Sequence, residues 1–253
     1  MSEFVRIERE GGVLAIALNR PERRNAILVE MYAALADAIA GAADDGATRL
    51  ITLRGEGVDF CAGNDLDDFL SGGSSLADGD EAPVTRLLKG LARNEVPILA
   101  AVHGNVVGIG TTMLFHCDLV IAAQGSKFLL PFVSLGLVPE AASSLLLPRM
   151  AGRRAAARQR LLGEAVGAEQ ALAMGLASHV VGNGELDAAF DRIRAALLAK
   201  PAEAMRLTQR LLRAGERDEI LERMDLENGH FAERLASDEV KQAIAGFFAA
   251  KAR

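Results

Sequence analysis

The chain has no tryptophan and a single tyrosine, Tyr32, in 253 residues. Only 4% of it is aromatic, so an aromatic stacking platform for single-stranded nucleic acid is not expected. Cysteine is equally scarce. Cys61 and Cys117 lack metal-ligand spacing and form no secreted disulfide framework. The four histidines, at 103, 116, 179 and 230, show no paired ligand spacing, so no metal site is expected. Positive charge is not in excess either. Lys and Arg number 28 against 34 Asp and Glu, a net charge of −6 spread along the chain. That balance argues against a general nucleic-acid binder. No apolar run reaches the length of a membrane span. Met1–Arg6 has no apolar signal core, and Lys251-Ala252-Arg253 is not a Ser-Lys-Leu-type address. The expectation is a soluble, cytoplasmic protein.

What the chain does have is apolar material, 50% of its residues, enough for a sizeable core. Val5–Glu10 and Val13–Asn19 read as strands joined in a hairpin at Gly11-Gly12. Asn25–Ala43 reads as a helix with Met31, Leu35 and Ile39 on one stripe. Arg49–Arg54, Pro97–Val102 and Asp118–Ala123 read as strands. Asp65–Leu70, Val84–Asn94 and Ile109–His116 read as helices between them. Ser71–Pro83, rich in Gly, Ser and Asp, reads as a loop. This alternation predicts an α/β class. After about Val181 the pattern becomes helical: Glu185–Ala199, Ala202–Ala214, Glu216–Leu235 and Asp238–Ala250. The division expected is a core over residues 1–195 and a helical region over 196–253.

The densest chemistry lies between Val102 and Pro148. His103-Gly104-Asn105-Val106-Val107-Gly108-Ile109-Gly110 is a glycine-rich turn opening an apolar helix. Such a turn can offer backbone N–H groups to an anionic oxygen. Further on, Gly136-Leu137-Val138-Pro139-Glu140 sets one carboxylate in apolar surroundings, where its pKa can rise into a useful range. Together these could move a proton next to a carbonyl.

In order and spacing, the motifs resemble the crotonase, or enoyl-CoA hydratase/isomerase, superfamily. Leu18-Asn19-Arg20-Pro21 with Asn25-Ala26 is similar to its opening motif, and Phe60-Cys61-Ala62-Gly63-Asn64-Asp65-Leu66 to its first oxyanion motif. Pro97–Gly104 leads into the second, and Ala173–Ala177 with Val180-Val181 resembles the segment closing the core. The resemblance implies a crotonase-like spiral of ββα units and a helical C-terminal trimerisation region. It implies an acyl-CoA substrate, no separate cofactor, and a homotrimer or dimer of trimers. It also implies backbone donors at Asn64 and Ile109. Around the substrate and CoA it places Arg24, Ala26, Ala62, Gly63, Asp65, Leu66, Gly108, Gly110, Phe132, Leu135 and Lys251.

The departures narrow the chemistry. Where hydratases of this resemblance carry two glutamates, this chain has Thr112 and Phe132. The stretch Phe132–Ser144 with its Pro139-Glu140 turn instead resembles the peroxisomal-type Δ3,Δ2-enoyl-CoA isomerase subgroup, which implies Glu140 as the catalytic base. The expected reaction moves a 3-enoyl-CoA double bond to the trans-2 position in fatty-acid oxidation. The alternatives are a hydratase or another acyl-CoA reaction, and a catalytically silent acyl-CoA- or RNA-binding relative. Taken on residues alone, Pro139-Glu140 is also an ordinary helix start. Gly108 and Gly110 also suit any tight turn, and Asp65 suits a helix cap. Arg153, Arg154, Arg158 and Arg160 read as a solvated helix face, with CoA phosphates or a neighbouring subunit as other contacts. Ser143-Ser144 lacks a nucleophile-elbow pattern.

Overall fold

The computed structural model describes residues 2–70 and 76–251. Its strands are β1 (Val5–Glu10), β2 (Val13–Leu18), β3 (Leu50–Gly55), β4 (Ile98–Val102), β5 (Asn105–Val107), β6 (Leu119–Ala123), β7 (Lys127–Leu129), β8 (Val166–Gly167) and β9 (His179–Val181). Its helices are α1 (Val29–Asp44), α2 (Leu66–Leu70), α3 (Pro83–Arg93), α4 (Ile109–Thr112), α5 (Ser143–Ala151), α6 (Arg153–Leu161), α7 (Ala168–Ala173), α8 (Leu186–Leu198), α9 (Ala202–Arg213), α10 (Arg217–Leu235) and α11 (Asp238–Lys251).

Two sheets share the strands. The larger runs β1-β2-β3-β4-β6-β9 and the smaller β5-β7-β8. The β1–β2 hairpin is antiparallel, with Val5 opposite Leu18 and Glu10 opposite Val13. From β2 to β9 every neighbour in the larger sheet is parallel. The chain therefore winds as a spiral. β4 and β6 each lie in the larger sheet and pass through a short turn into β5 and β7 of the smaller one, which pair in parallel. Gly104 makes the first of these turns at φ +59. A Cβ there would lie 2.2 Å from the Val58 carbonyl oxygen, so only glycine lets the two backbones pass.

β4, Ile-Leu-Ala-Ala-Val, is buried throughout, as a central parallel strand covered on both faces should be. Ile98, Ala100 and Val102 join the main core with Met31, Leu35 and Ile39 of α1. Leu99 and Ala101 face a second cluster closed by Leu186, Ala189 and Phe190 of α8. The C-terminal helices also reach the main core, through Met224, Phe231, Val240 and Ile244.

The helix expected from Asn25 starts four residues later, at Val29. Arg24 and Asn25 both adopt left-handed φ, at +52 and +55. The buried Asn25 amide donates to the carbonyls of Glu56 (2.8 Å) and Asp59 (2.9 Å), and its oxygen accepts from the Arg20 N–H (2.8 Å). That side-chain bonding holds the backbone out of a helix. The helix predicted over Ile109–His116 is α-helical only to Thr112 and tightens to a 3-10 turn from Met113. Within the loop expected over Ser71–Pro83, residues 71–75 lie outside the described residues, Leu76–Glu81 forms a 3-10 segment, and Pro83 opens α3.

Candidate active site

The fold zips the two glycine-rich motifs together. The Cys61 N–H donates to the Asn105 carbonyl (3.1 Å) and the Val107 N–H to the Cys61 carbonyl (2.9 Å). Gly63 turns at φ +93, and a Cβ on it would sit 3.3 Å from the Val107 carbonyl oxygen. Gly108, at φ +54 and ψ −120, sends the chain into α4. On the far side of these two turns stand Asn64 and Ile109. Among the described residues neither backbone N–H meets an acceptor. Two free donors thus lie on adjoining turns, one at a helix start.

The remaining expected residues take up distinct places. Ala62 donates its N–H to the Arg24 carbonyl (2.9 Å), and the Ala26 carbonyl accepts from Arg20 Nη1 (3.0 Å). The Arg24 side chain is solvent-exposed, with Nε 3.6 Å from Asp59 Oδ2. Asp65 does cap a helix, accepting from the N–H groups of Asp67 (3.1 Å) and Asp68 (3.4 Å), and it also pairs with Arg20 at 2.7 Å. Leu66 opens α2 and is half-buried, as is Leu135. Lys251 ends α11, and its side chain lies outside the described residues.

Glu140 is 6% exposed. It does not start a helix. Two alanines with left-handed backbones, Ala141 (φ +59) and Ala142 (φ +54), separate it from α5, which begins at Ser143. Such conformations cost energy in non-glycine residues and persist only where neighbours impose them. Three neighbours do so here. The His116 ring Nε2 bonds the Ala141 carbonyl (3.0 Å), and Ser143 Oγ donates back to the Glu140 carbonyl. From α10, the Glu227 carboxylate accepts the Ser144 N–H (2.8 Å) at the start of α5.

Burial, above all, lifts the Glu140 pKa from 4.5 to about 7, and the Glu227 charge adds to the rise. A hydrogen bond from Thr112 Oγ1 and the Arg160 charge oppose it. His116 moves the other way, to about 4, because burial disfavours its cation. Cys61 is pushed up to about 12 by burial, which leaves a protonated thiol rather than a nucleophile. Glu140 is thus a neutral-range carboxyl group, and its hydrogen-bond partner Thr112 ends the helix that Ile109 opens. Among the described residues there is no cluster of three metal-ligating side chains. None of the helices there is long and apolar enough to cross a membrane.

Tertiary structure adds residues that pattern reading passes over. Tyr32, the lone tyrosine, is buried in α1 and donates its hydroxyl to Asn64 Oδ1, and Glu140 acts on it electrostatically. In sequence it is one apolar-face position among several. Arg160 corrects the expectation of a solvated arginine face. Arg158 is exposed and pairs with Glu164 at 2.6 Å, whereas Arg160, half a turn away, is 8% exposed with its Cζ 5.4 Å from the centre of the Phe132 ring. The helical period could have separated the two, because Ala156 and Arg160 share the buried face. Glu227 gave no signal at all, since it lies 87 residues beyond Glu140 within an acidic, basic and apolar mixture. Two clefts, of about 310 and 500 Å³, lie elsewhere, and neither is lined by Glu140.

Comparison with known proteins agrees with this architecture. The enoyl-CoA hydratase/isomerase family matches residues 8–252. The chain is 34% identical to the 1,2-epoxyphenylacetyl-CoA isomerase of Escherichia coli, over 98% of this chain and 97% of that one. It is 32% identical to enoyl-CoA delta isomerase 2 of Rattus norvegicus, over 99% of this chain and 64% of that protein. Its fold superposes on an enoyl-CoA hydratase/isomerase from Pseudoalteromonas atlantica with a TM-score of 0.90 at 38% identity, covering 97% of each chain. With nearly its whole length matched and the same spiral fold, the chain is a member of the enoyl-CoA hydratase/isomerase, or crotonase, family of enzymes.

Proposed function

We propose that this enzyme is a Δ3,Δ2-enoyl-CoA isomerase with Glu140 as its single proton carrier. The observation that carries the reading is the state of Glu140: a buried carboxyl group with a pKa raised to about 7, on a turn braced from three sides. A base that must both take and return a proton works best with a pKa near the working pH. In the proposed reaction the ionised carboxylate takes a proton from C2 of a 3-enoyl thioester. The electron pair spreads onto the thioester oxygen and C4. The Asn64 and Ile109 N–H groups bond that oxygen in the dienolate, and Glu140 returns the proton to C4. The double bond then lies between C2 and C3, and the base is regenerated.

Hydration fits less well. It needs a water held and activated between acid and base groups, and Phe132 supplies neither hydrogen bond nor charge where a second carboxylate would be needed. The name of the rat relative, a delta isomerase, supports the same choice.

The test is turnover of trans-3-hexenoyl-CoA to trans-2-hexenoyl-CoA, with crotonyl-CoA hydration followed in parallel. Isomerisation should dominate, and Glu140→Gln should lower it by at least about 100-fold, the scale of a general base. Hydration without isomerisation would overturn the reading. So would near-normal isomerisation by a folded Glu140→Gln enzyme, and so would acyl-CoA or RNA binding with no turnover.

A further inference from the structure

Arg160 is an unusual cation to find inside a protein. It is 8% exposed, yet among the described residues none of its three guanidinium nitrogens has a hydrogen-bond partner. Its neighbour Gln159 is buried as well, and among the described residues neither of its amide atoms has a partner. A guanidinium out of water is costly unless acceptors replace the water it loses, so such a group marks a place where an acceptor belongs.

Its surroundings define what kind of acceptor. Phe132 lies under the guanidinium, and Phe231 meets the Phe132 ring edge-on at a centroid distance of 6.5 Å. Glu140 and Glu227 both act on Arg160 through their charges, but among the described residues it forms no ion pair. Glu227 uses one oxygen to hold the Ser144 N–H, and among the described residues its other oxygen has no hydrogen-bond partner. The charge of Arg160 is therefore offset at a distance, while its donors are not used. A further anion there would face two carboxyl groups. A neutral oxygen would not. It could accept from Arg160 while its carbon neighbours lie against Phe132 and Phe231.

We propose that Arg160 is a recognition site for a neutral oxygen on the acyl group beyond C4, so that the preferred thioester carries a ketone, hydroxyl or ether there rather than a plain alkyl chain. This rests on Glu140 being the proton carrier, which places the acyl chain on this side of the site. In that arrangement the side chain at 132 offers no acceptor, and the donors behind it come from α6.

Saturated thioesters test the subsite without the chemistry, since they have no double bond to move. Calorimetric titration would compare hexanoyl-CoA, 5-oxohexanoyl-CoA and adipoyl-CoA on the wild type, Arg160→Met and Arg160→Lys. The wild type should bind the 5-oxo compound about 10-fold more tightly than hexanoyl-CoA, the scale of a hydrogen bond to a charged donor. Arg160→Met should erase that ratio, and Arg160→Lys should keep part of it. Equal wild-type affinities for the two would overturn the proposal, even if neither variant folds. A ratio unchanged in Arg160→Met would assign Arg160 a structural role only. Tightest binding of adipoyl-CoA would replace the neutral subsite with an anion site. The isomerase reading fails separately, by absent turnover of 3-hexenoyl-CoA while the binding ratio stands.

Discussion

Thr112 Oγ1 donates a 2.7 Å hydrogen bond to Glu140 Oε1. Both residues are buried, and they come from elements 28 residues apart in sequence. Thr112 ends the helix that opens at Ile109, so the same short helix carries an unengaged N–H at its start and the partner of the proposed base at its end.

That bond favours the ionised form of Glu140, holding down a pKa that burial pushes up. Thr112→Val keeps the shape and removes the donor. The acidic limb of the kcat/KM profile, which reports ionisation of the free base, should move to higher pH by up to about one unit. Activity at pH 6 should fall more than activity at pH 9. A profile that keeps its midpoint would mean that Thr112 does not tune Glu140.

Glu140 should also make stability depend on pH. Its pKa is 4.5 as an ordinary carboxyl group and about 7 in the fold, so the folded state binds the proton more tightly. The favourable contribution is complete below about pH 4.5 and is lost as pH rises through 7. At pH 8 the buried charge costs up to about 3 kcal/mol relative to a neutral side chain. Glu140→Gln should therefore be more stable than the wild type at pH 8 and nearly equal to it at pH 4. Urea denaturation of both proteins at the two pH values measures this, and equal differences at both would contradict it.

Gly110 tests how closely the two donor turns must pack. An added Cβ would stand 2.7 Å from Cys61 Cβ and 3.1 Å from the Cys61 carbonyl oxygen. The backbone of one turn must then retreat from the other. Gly110→Ala should cost about 1–3 kcal/mol of stability, the usual scale for overpacking. It should also lower kcat more than it raises KM, because the displaced N–H groups act mainly in the transition state. Normal kcat in the folded variant would show that this contact does not set the donor geometry.

The exposed apolar side chains of α9 call for a neighbour. Leu211 is 74% exposed and Leu212 72% in the isolated chain. The family resemblance implies a homotrimer or a dimer of trimers, and a closed symmetric assembly of that kind would cover these side chains. Light scattering should report that mass at micromolar concentration, and Leu211→Glu with Leu212→Glu should lower it. A stable wild-type monomer would rule the assembly out.

Sequence pattern placed most elements: β2 alternates with a period of 2, β3 and β4 are short apolar runs buried on both faces, and helices α8 to α11 follow the 3.6-residue period. Glycines 104 and 108 were legible within a glycine-rich turn, because glycine takes a left-handed backbone most readily. The carboxylate at Glu140, and the absence of further carboxylates at positions 112 and 132, could be read from residue types set against the family resemblance. Tertiary structure alone decided what surrounds that carboxylate. Asn25 leaves the helical pattern because its amide is captured by carbonyls more than thirty residues away. Arg160 turns inward while Arg158 stays in water, and Glu227 arrives from α10 to hold the start of α5. Desolvation and long-range charge act through space and not along the chain. A linear pattern can therefore name the candidate base, but only packing sets its pKa near 7 and its neighbours.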